Sequence, residues 1–231
     1  MTADQAVSKS TAAQDYWNRH YTGEFRFGEG TETILTVLAA LPPVRRWGDL
    51  GSGTEAMLWA IALQPTHLTA VDIDTKRLEI LRQFTRTAAP RPVHTTALRL
   101  CGRGIADFTD RCGALTDCVQ ADCLTGSLSR HPSLAVGGFD LVTQFGLLGL
   151  CSSAQHFTDA FTDIHRLLAP GGAVAGANWV ACNNTGRVAL TAALYRDAAA
   201  QAGVELTVLS RVESADPDFP AVWIYAGHHR R

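Results

Sequence analysis

This sequence predicts an α/β fold, with a mostly parallel sheet covered by helices on both faces. Three observations carry that expectation. Strand-like and helix-like segments alternate along most of the chain, several apolar runs suit strands buried on both faces, and a glycine turn stands between the first strand and the next helix. Two final strand-like runs have no helix between them, which predicts an antiparallel ending.

Each element has a local reason. Residues 1–13 read as a loose tail and 14–22 (QDYWNRHYT) as a short aromatic-rich stretch. Thr31–Leu41 predicts a helix that Thr31 can cap and Pro42-Pro43 stops. Arg46–Leu50 is a short strand running into Gly51-Ser52-Gly53, and Thr54–Leu63 resumes helical spacing. His67–Ile73 is an apolar strand, and Asp74–Thr87 a helix with Leu78, Ile80, Leu81 and Phe84 on one face. A strand at Val93–Leu98, a helix at Gly104–Gly113 and strands at Asp117–Gln120 and Phe139–Phe145 follow. Ala154–Leu168 reads as a helix ended by Pro170-Gly171-Gly172, then Ala173–Val180 as a strand and Thr185–Ala202 as a helix. Glu205–Val212 and Ala221–Gly227 are the closing strands, and His228 and His229 read as part of a solvated tail. No repeat or linker divides residues 30–231, which read as one domain.

Composition narrows the function. Of 231 residues, 20 are Lys or Arg and 22 are Asp or Glu, a net charge of −2, so no basic excess exists to neutralise a polyanion. No stretch reaches the roughly 18 apolar residues of a spanning helix. The polar start MTADQAVSKSTAAQDYW lacks an apolar signal core, so a cytoplasmic location is expected. The six cysteines form no CxxC, so no metal site is expected and the thiols read as small core residues or free thiols.

The sharpest chemical signal is Asp49-Leu50-Gly51-Ser52-Gly53-Thr54, where a strand gives way to a helix. Glycines let a ligand approach the backbone, and a helix start offers free N–H groups to an anion. Asp49 adds a carboxylate suited to an ammonium. A site with both features suits the amino-acid end of S-adenosylmethionine. The stretch Gly51 to Ala56 also fits the dinucleotide pattern G-x-G-x-x-G/A, with Asp72 at the expected distance, so this motif alone does not separate the two ligands. Asp72, at the end of the second strand, can bind both hydroxyls of a ribose, and Ile73 follows it. Asp74 reads as a helix N-cap. Asp122, next to Cys123 and just past another strand end, can accept from an adenine amino group. Glu55 either faces the ligand or simply starts a helix. His165 reads as structural.

These pieces resemble the class I S-adenosylmethionine-dependent methyltransferases across roughly residues 30–228. The matching motifs are DLGSGT (49–54), VDID (71–74), QADC (120–123), FDLVTQF (139–145) and LLAPGG (167–172). The resemblance implies a Rossmann-like seven-stranded sheet and S-adenosyl-L-methionine as cofactor. Asp49, Gly51, Ser52, Gly53, Asp72, Ile73, Asp122, Cys123 and Gln144 would then be its binding residues. LLAPGG before a strand, together with the antiparallel ending, is not expected of a dinucleotide enzyme. Asp15-Tyr16-Trp17-Asn18-Arg19-His20-Tyr21 further resembles the nicotinamide and phenylethanolamine N-methyltransferase family, in which an N-terminal segment folds over the cofactor. That implies a lid within residues 1–29, with Tyr16 and Tyr21 on the cofactor and Trp17 and His20 near the substrate. Many such relatives hold the substrate amine with an acid on the strand after PGG. Here that position reads as Asn178, beside Trp179, which still makes a polar and aromatic substrate wall but carries no charge.

The expected function is methyl transfer to a small-molecule acceptor, N-methylation favoured, releasing S-adenosylhomocysteine. No side chain compels assignment as catalytic base. One alternative keeps the cofactor: a cyclase resembling azetidine-2-carboxylate synthases, in which the methionine amine attacks its own γ-carbon and expels methylthioadenosine. A non-catalytic binding partner with a retained fold is another. A nucleic-acid substrate is disfavoured by the charge balance and by the absence of an NPPY or DPPY tetrapeptide.

Overall fold

The computed structural model describes residues 15, 18, 23–183 and 186–230. Tyr16, Trp17, His20 and Tyr21, the expected lid residues, lie outside the described residues. The elements are α1 (Thr31–Ala39), β1 (Arg46–Leu50), α2 (Met57–Ala60), β2 (His67–Asp72), α3 (Thr75–Thr87), α4 (Pro92–Leu100), α5 (Ile105–Gly113) and β3 (Leu115–Gln120). Then come β4 (Phe139–Phe145), α6 (Ala154–His165), β5 (Leu168–Val180), α7 (Ala192–Gln201), β6 (Val204–Glu213) and β7 (Ala221–His229). They build a seven-stranded sheet in the order β3-β2-β1-β4-β5-β7-β6. The pairs from β3 to β5 are parallel, and β7 is antiparallel to both β5 and β6. The fold class read from the sequence is therefore the one observed.

Each sheet face carries its own core. On one side Ile34, Leu38, Leu81, Phe84 and Phe108 from α1, α3 and α5 pack with Trp47 and Leu141. On the other, Phe157 and Phe161 of α6 and Tyr195 of α7 pack with Val142, Val174 and Tyr225. These strand residues alternate sides, as the two-residue period of a strand requires.

Five expectations need correcting. Residues 92–100 form a helix, not a strand, because Pro92 occupies the first turn and Val93, His94, Ala97 and Leu98 make one buried helical face. The helix after the glycine turn is only Met57–Ala60, all of it buried, so helical spacing over Thr54–Leu63 reflected burial on every side. It is too short to act as an anion-binding dipole. Helix α6 stops at His165, and residues 168–172 already belong to β5, with a register irregularity between Phe139 and Leu141 that accommodates Pro170-Gly171-Gly172. Helix α7 begins at Ala192 rather than Thr185, where Thr191 caps it by accepting from the Leu194 N–H at 3.2 Å. His228 and His229 are part of β7 rather than a tail.

Candidate functional site

Strand order runs outward from β1 in one direction and from β4 in the other, so the crevice at the β1/β4 strand tips is the topological switch point. Strand β1 delivers its chain directly into this crevice. Gly51 (φ +68°) and Gly53 (φ +60°) both adopt left-handed backbone that a side chain would strain. A Cβ on Gly51 would also meet Leu147 at 3.0 Å, whereas one on Gly53 would meet nothing within 4 Å. The Gly53 face is thus open while the Gly51 face is packed.

Strand β2 pins the turn. The Ser52 N–H donates to the Val71 carbonyl at 3.0 Å, and the Gly53 N–H donates to Asp72 Oδ2 at 2.9 Å. Asp72 Oδ1 accepts the Asp74 N–H at 2.9 Å. Each Asp72 oxygen keeps a second lone pair, so the carboxylate can still accept from a diol. Burial raises the Asp72 pKa, opposed by these two N–H groups. Asp74 caps α3 as expected, accepting the Lys76 N–H at 2.9 Å.

Asp49 is the most unusual group. It is buried and sits opposite Thr143 across the β1/β4 pair. The Trp47 indole N–H donates to Thr143 Oγ1 at 2.7 Å, and the Thr143 hydroxyl donates to Asp49 Oδ1 at 2.6 Å. Asp49 Oδ2 is buried with no hydrogen-bond partner among the described residues, and so is Thr54 Oγ1. Burial pushes Asp49 up to about 8; the Thr143 hydrogen bond opposes this, and nearby Glu55 and Asp72 add to it. A positive charge placed beside such a group would favour its ionised form.

The rest of the predicted set divides. Ile73 stands 59% exposed at the β2 tip, an apolar platform of the kind a base stacks on. Asp122 is exposed just past β3, with Oδ1 accepting the Leu124 N–H at 2.9 Å. Cys123 is buried with the Gly51 backbone as hydrogen-bond partner, and burial pushes its thiol up to about 12, which makes it a packing residue rather than a nucleophile. Gln144 does not face the crevice with a free amide. Its Oε1 accepts the Leu148 N–H at 3.1 Å and its Nε2 donates to the Tyr225 hydroxyl at 3.3 Å, both inside the core. Asn178 is likewise fully buried, its Oδ1 accepting the Gly149 N–H at 2.9 Å and its Nδ2 donating to the Tyr195 hydroxyl at 2.8 Å. Of the expected substrate wall, Asn178 is thus engaged inside the core, and the Trp179 indole N–H donates to the Glu29 carbonyl at 3.4 Å.

Three residues escaped the sequence reading. Thr143 is in the FDLVTQF run but gives no signal until β1 and β4 are paired. Thr54 was quoted within the motif without a role. His94 was hidden by misreading its helix as a strand. Glu55 stands just before α2, accepting the Leu58 N–H at 2.9 Å, and also meets His94. His165 is structural, as expected. It bonds the Phe161 carbonyl through Nδ1 at 2.7 Å, and burial lowers its pKa to about 3.

The chain has relatives among known proteins. The family described as Methyltransferase domain matches residues 48–176, which is more than half of the chain. The chain is 32% identical over 129 residues to the ribosomal RNA small subunit methyltransferase G of Nitrobacter winogradskyi, covering 53% of this chain and 40% of that protein. The Nitrobacter hamburgensis protein of the same name is 29% identical over 129 residues, covering 53% of this chain and 43% of it, so the chain spans about two fifths of these curated relatives. In fold, it is similar to the N-methyltransferase NodS from Bradyrhizobium japonicum WM9 in complex with S-adenosyl-l-homocysteine, with a TM-score of 0.66 at 15% identity over 98% of each chain. The Haloferax volcanii complex of the Trm112 methyltransferase activator with a methyltransferase gives a TM-score of 0.62 at 14% identity, over 100% of this chain and 99% of that one. A Methyltransferase domain match running from the end of β1 into β5, across the glycine turn and the acid-tipped strands, makes this chain a member of the class I S-adenosylmethionine-dependent methyltransferases.

Proposed function

We infer that the protein transfers a methyl group from S-adenosylmethionine to a small-molecule acceptor, with nitrogen the favoured acceptor atom. The observation that carries this reading is the buried, unpartnered Asp49 Oδ2 under an open glycine turn at the switch point. The residues fit the donor. Asp49 would hold its ammonium, the Asp72 oxygens its ribose hydroxyls, Ile73 one face of its adenine and Asp122 the adenine amino group. When bound, the donor supplies an electrophilic methyl on a sulfonium. The protein's work is to orient, to exclude water and to hold the acceptor in line.

A small acceptor is supported by the net charge of −2, which offers nothing to draw in a phosphate backbone. The likeness to ribosomal RNA methyltransferases is confined to 129 residues. On the acceptor side Trp179 and the segment carrying Glu29 meet, and the Ala215 N–H donates to the Gly28 carbonyl at 2.8 Å, tying the 213–220 loop to residue 28. We assign residues 1–29 to a covering segment over this side, and residues 30–231 to the domain beneath.

One observation favours a second reading. Asn178 has both amide groups engaged inside the core, so β5 brings no group there to hold an acceptor amine. An enzyme that cyclises the donor's own methionine chain needs no such holder. Product analysis tests both. Incubation with S-adenosylmethionine and a panel of amines is expected to yield S-adenosylhomocysteine and a methylated amine. Methylthioadenosine formed from the donor alone supports cyclisation instead. No donor binding by calorimetry, with Asp72→Ala indistinguishable from wild type, overturns both.

A further inference from the structure

Between β2 and β3 the chain inserts α4 and α5 after α3, and one residue of α4 reaches the donor turn through a buried relay. His94 is fully buried, with Phe84 and Phe108 rings at 5.1 and 5.2 Å. Its Nδ1 accepts the Arg91 N–H at 3.2 Å, which leaves the proton of the neutral ring on Nε2. That Nε2–H points at Glu55 Oε2, 3.1 Å away, and the other Glu55 oxygen accepts the Leu58 N–H. The Glu55 N–H in turn donates to the Ser52 carbonyl at 3.2 Å, closing the glycine turn. The turn is therefore held from two sides: by Asp72 and Val71 of β2, and by Glu55 braced on His94.

A buried carboxylate next to the turn is costly unless its lone pairs are occupied. His94 supplies one of the two donors that keep the Glu55 side chain in place. Without it, Glu55 is drawn toward water, and the Ser52–Glu55 closure loosens with it. We propose that His94 is a positioning residue for the methyl-donor turn, acting through Glu55 and coupling the inserted helix α4 to donor affinity. It touches no substrate itself. This rests on the donor being S-adenosylmethionine, so the test measures that first.

Calorimetric titration of the full chain with S-adenosylmethionine, and separately with S-adenosylhomocysteine, gives affinity and the fraction of competent sites together. Wild type is expected to bind with a stoichiometry near one; if it does not, the functional reading fails and not the relay. His94→Leu is expected to weaken both ligands about tenfold at unchanged stoichiometry, as loss of one hydrogen bond to a charged group implies. A purely structural residue would instead lower the stoichiometry and leave the affinity of the surviving sites intact. His94→Gln, which keeps an N–H donor, is expected to recover most of the loss. Glu55→Gln is expected to weaken binding similarly, with the Glu55→Gln/His94→Leu double variant little worse than either single one. Wild-type affinity in His94→Leu, or in Glu55→Gln where the leucine variant does not fold, or fully additive losses in the double variant, overturns the proposal.

Discussion

Among the described residues, Asp49 and Thr54 on the β1–β2 side of the crevice keep buried polar atoms without partners, whereas Gln144 and Asn178 on the β4–β5 side have none left over. All four are polar residues near strand tips, and all four are buried. The difference separates groups with hydrogen-bonding capacity to spare from groups that fasten the fold. Gln144 ties β4 to Tyr225 of β7, and Asn178 ties β5 to Tyr195 of α7, whereas the outer oxygen of Asp49 ties nothing. Orphan atoms also occur at His165 and Trp223. What marks Asp49 is the coincidence of an orphan oxygen, an open glycine turn and the switch point.

The hardest test of this contrast is Asp72→Ala, which removes the acceptors of the Gly53 and Asp74 N–H groups as well as the proposed ribose contacts. Donor affinity is expected to fall about 100-fold or more, since each hydrogen bond to a carboxylate is worth roughly 1.5–3 kcal/mol. Calorimetry checks it, and a loss below threefold would remove Asp72 from the donor side.

Asp49→Asn comes next, with a donor affinity loss of at least about tenfold. It also carries a pH signature. Asp49 moves from 3.8 in the unfolded chain to about 8 when folded, so its carboxyl favours the folded state while protonated. The ligand-free protein is stabilised below about pH 4, and that stabilisation drains away as pH rises toward 8, by an amount of order a few kcal/mol. Asp72 shifts in the same direction. Melting curves from pH 5 to 8.5 are expected to fall for wild type and to flatten for Asp49→Asn.

Asn178→Asp probes the other side. A carboxylate there would keep the Gly149 N–H but lose the donor to the Tyr195 hydroxyl, in a fully buried site. A destabilisation of about 2–3 kcal/mol, or roughly 5–10 °C, is expected, with donor affinity within twofold of wild type. Improved binding of an amine acceptor in this variant, without loss of melting temperature, would return Asn178 to the substrate wall. The smallest effect belongs to Tyr225→Phe, which deletes the hydroxyl that Gln144 reaches. About 1 kcal/mol of stability and no change in donor affinity are expected, read by denaturant titration and calorimetry side by side.

How much of this was visible in the sequence depended on how local the cause was. Strands β1 and β4 were bounded correctly, because turn residues flank short apolar runs. The Asp74 cap was legible from one residue and the helix after it. Helix α4 was not, because a nine-residue segment with adjacent β-branched Thr95 and Thr96 fits both periods and only Pro92 argues for a helix. At the site, Asp49, Gly51, Gly53 and Asp72 could be found because they are consecutive with strand ends. Whether an amide is free or engaged is a tertiary property. Nothing near Asn178 in the sequence announces Tyr195, and nothing near Glu55 announces a histidine 39 residues away.

The placement of β7 between β5 and β6 has a bearing on how the chain comes off the ribosome. Strand β6 emerges first but has no neighbour of its own until β7 follows and slides in beside β5. During that interval β5, whose stretch from Gly172 to Asn178 is buried in the finished sheet, presents a bare hydrogen-bonding edge to whatever is nearby. Until β7 docks, that edge is open to association with other copies of the chain.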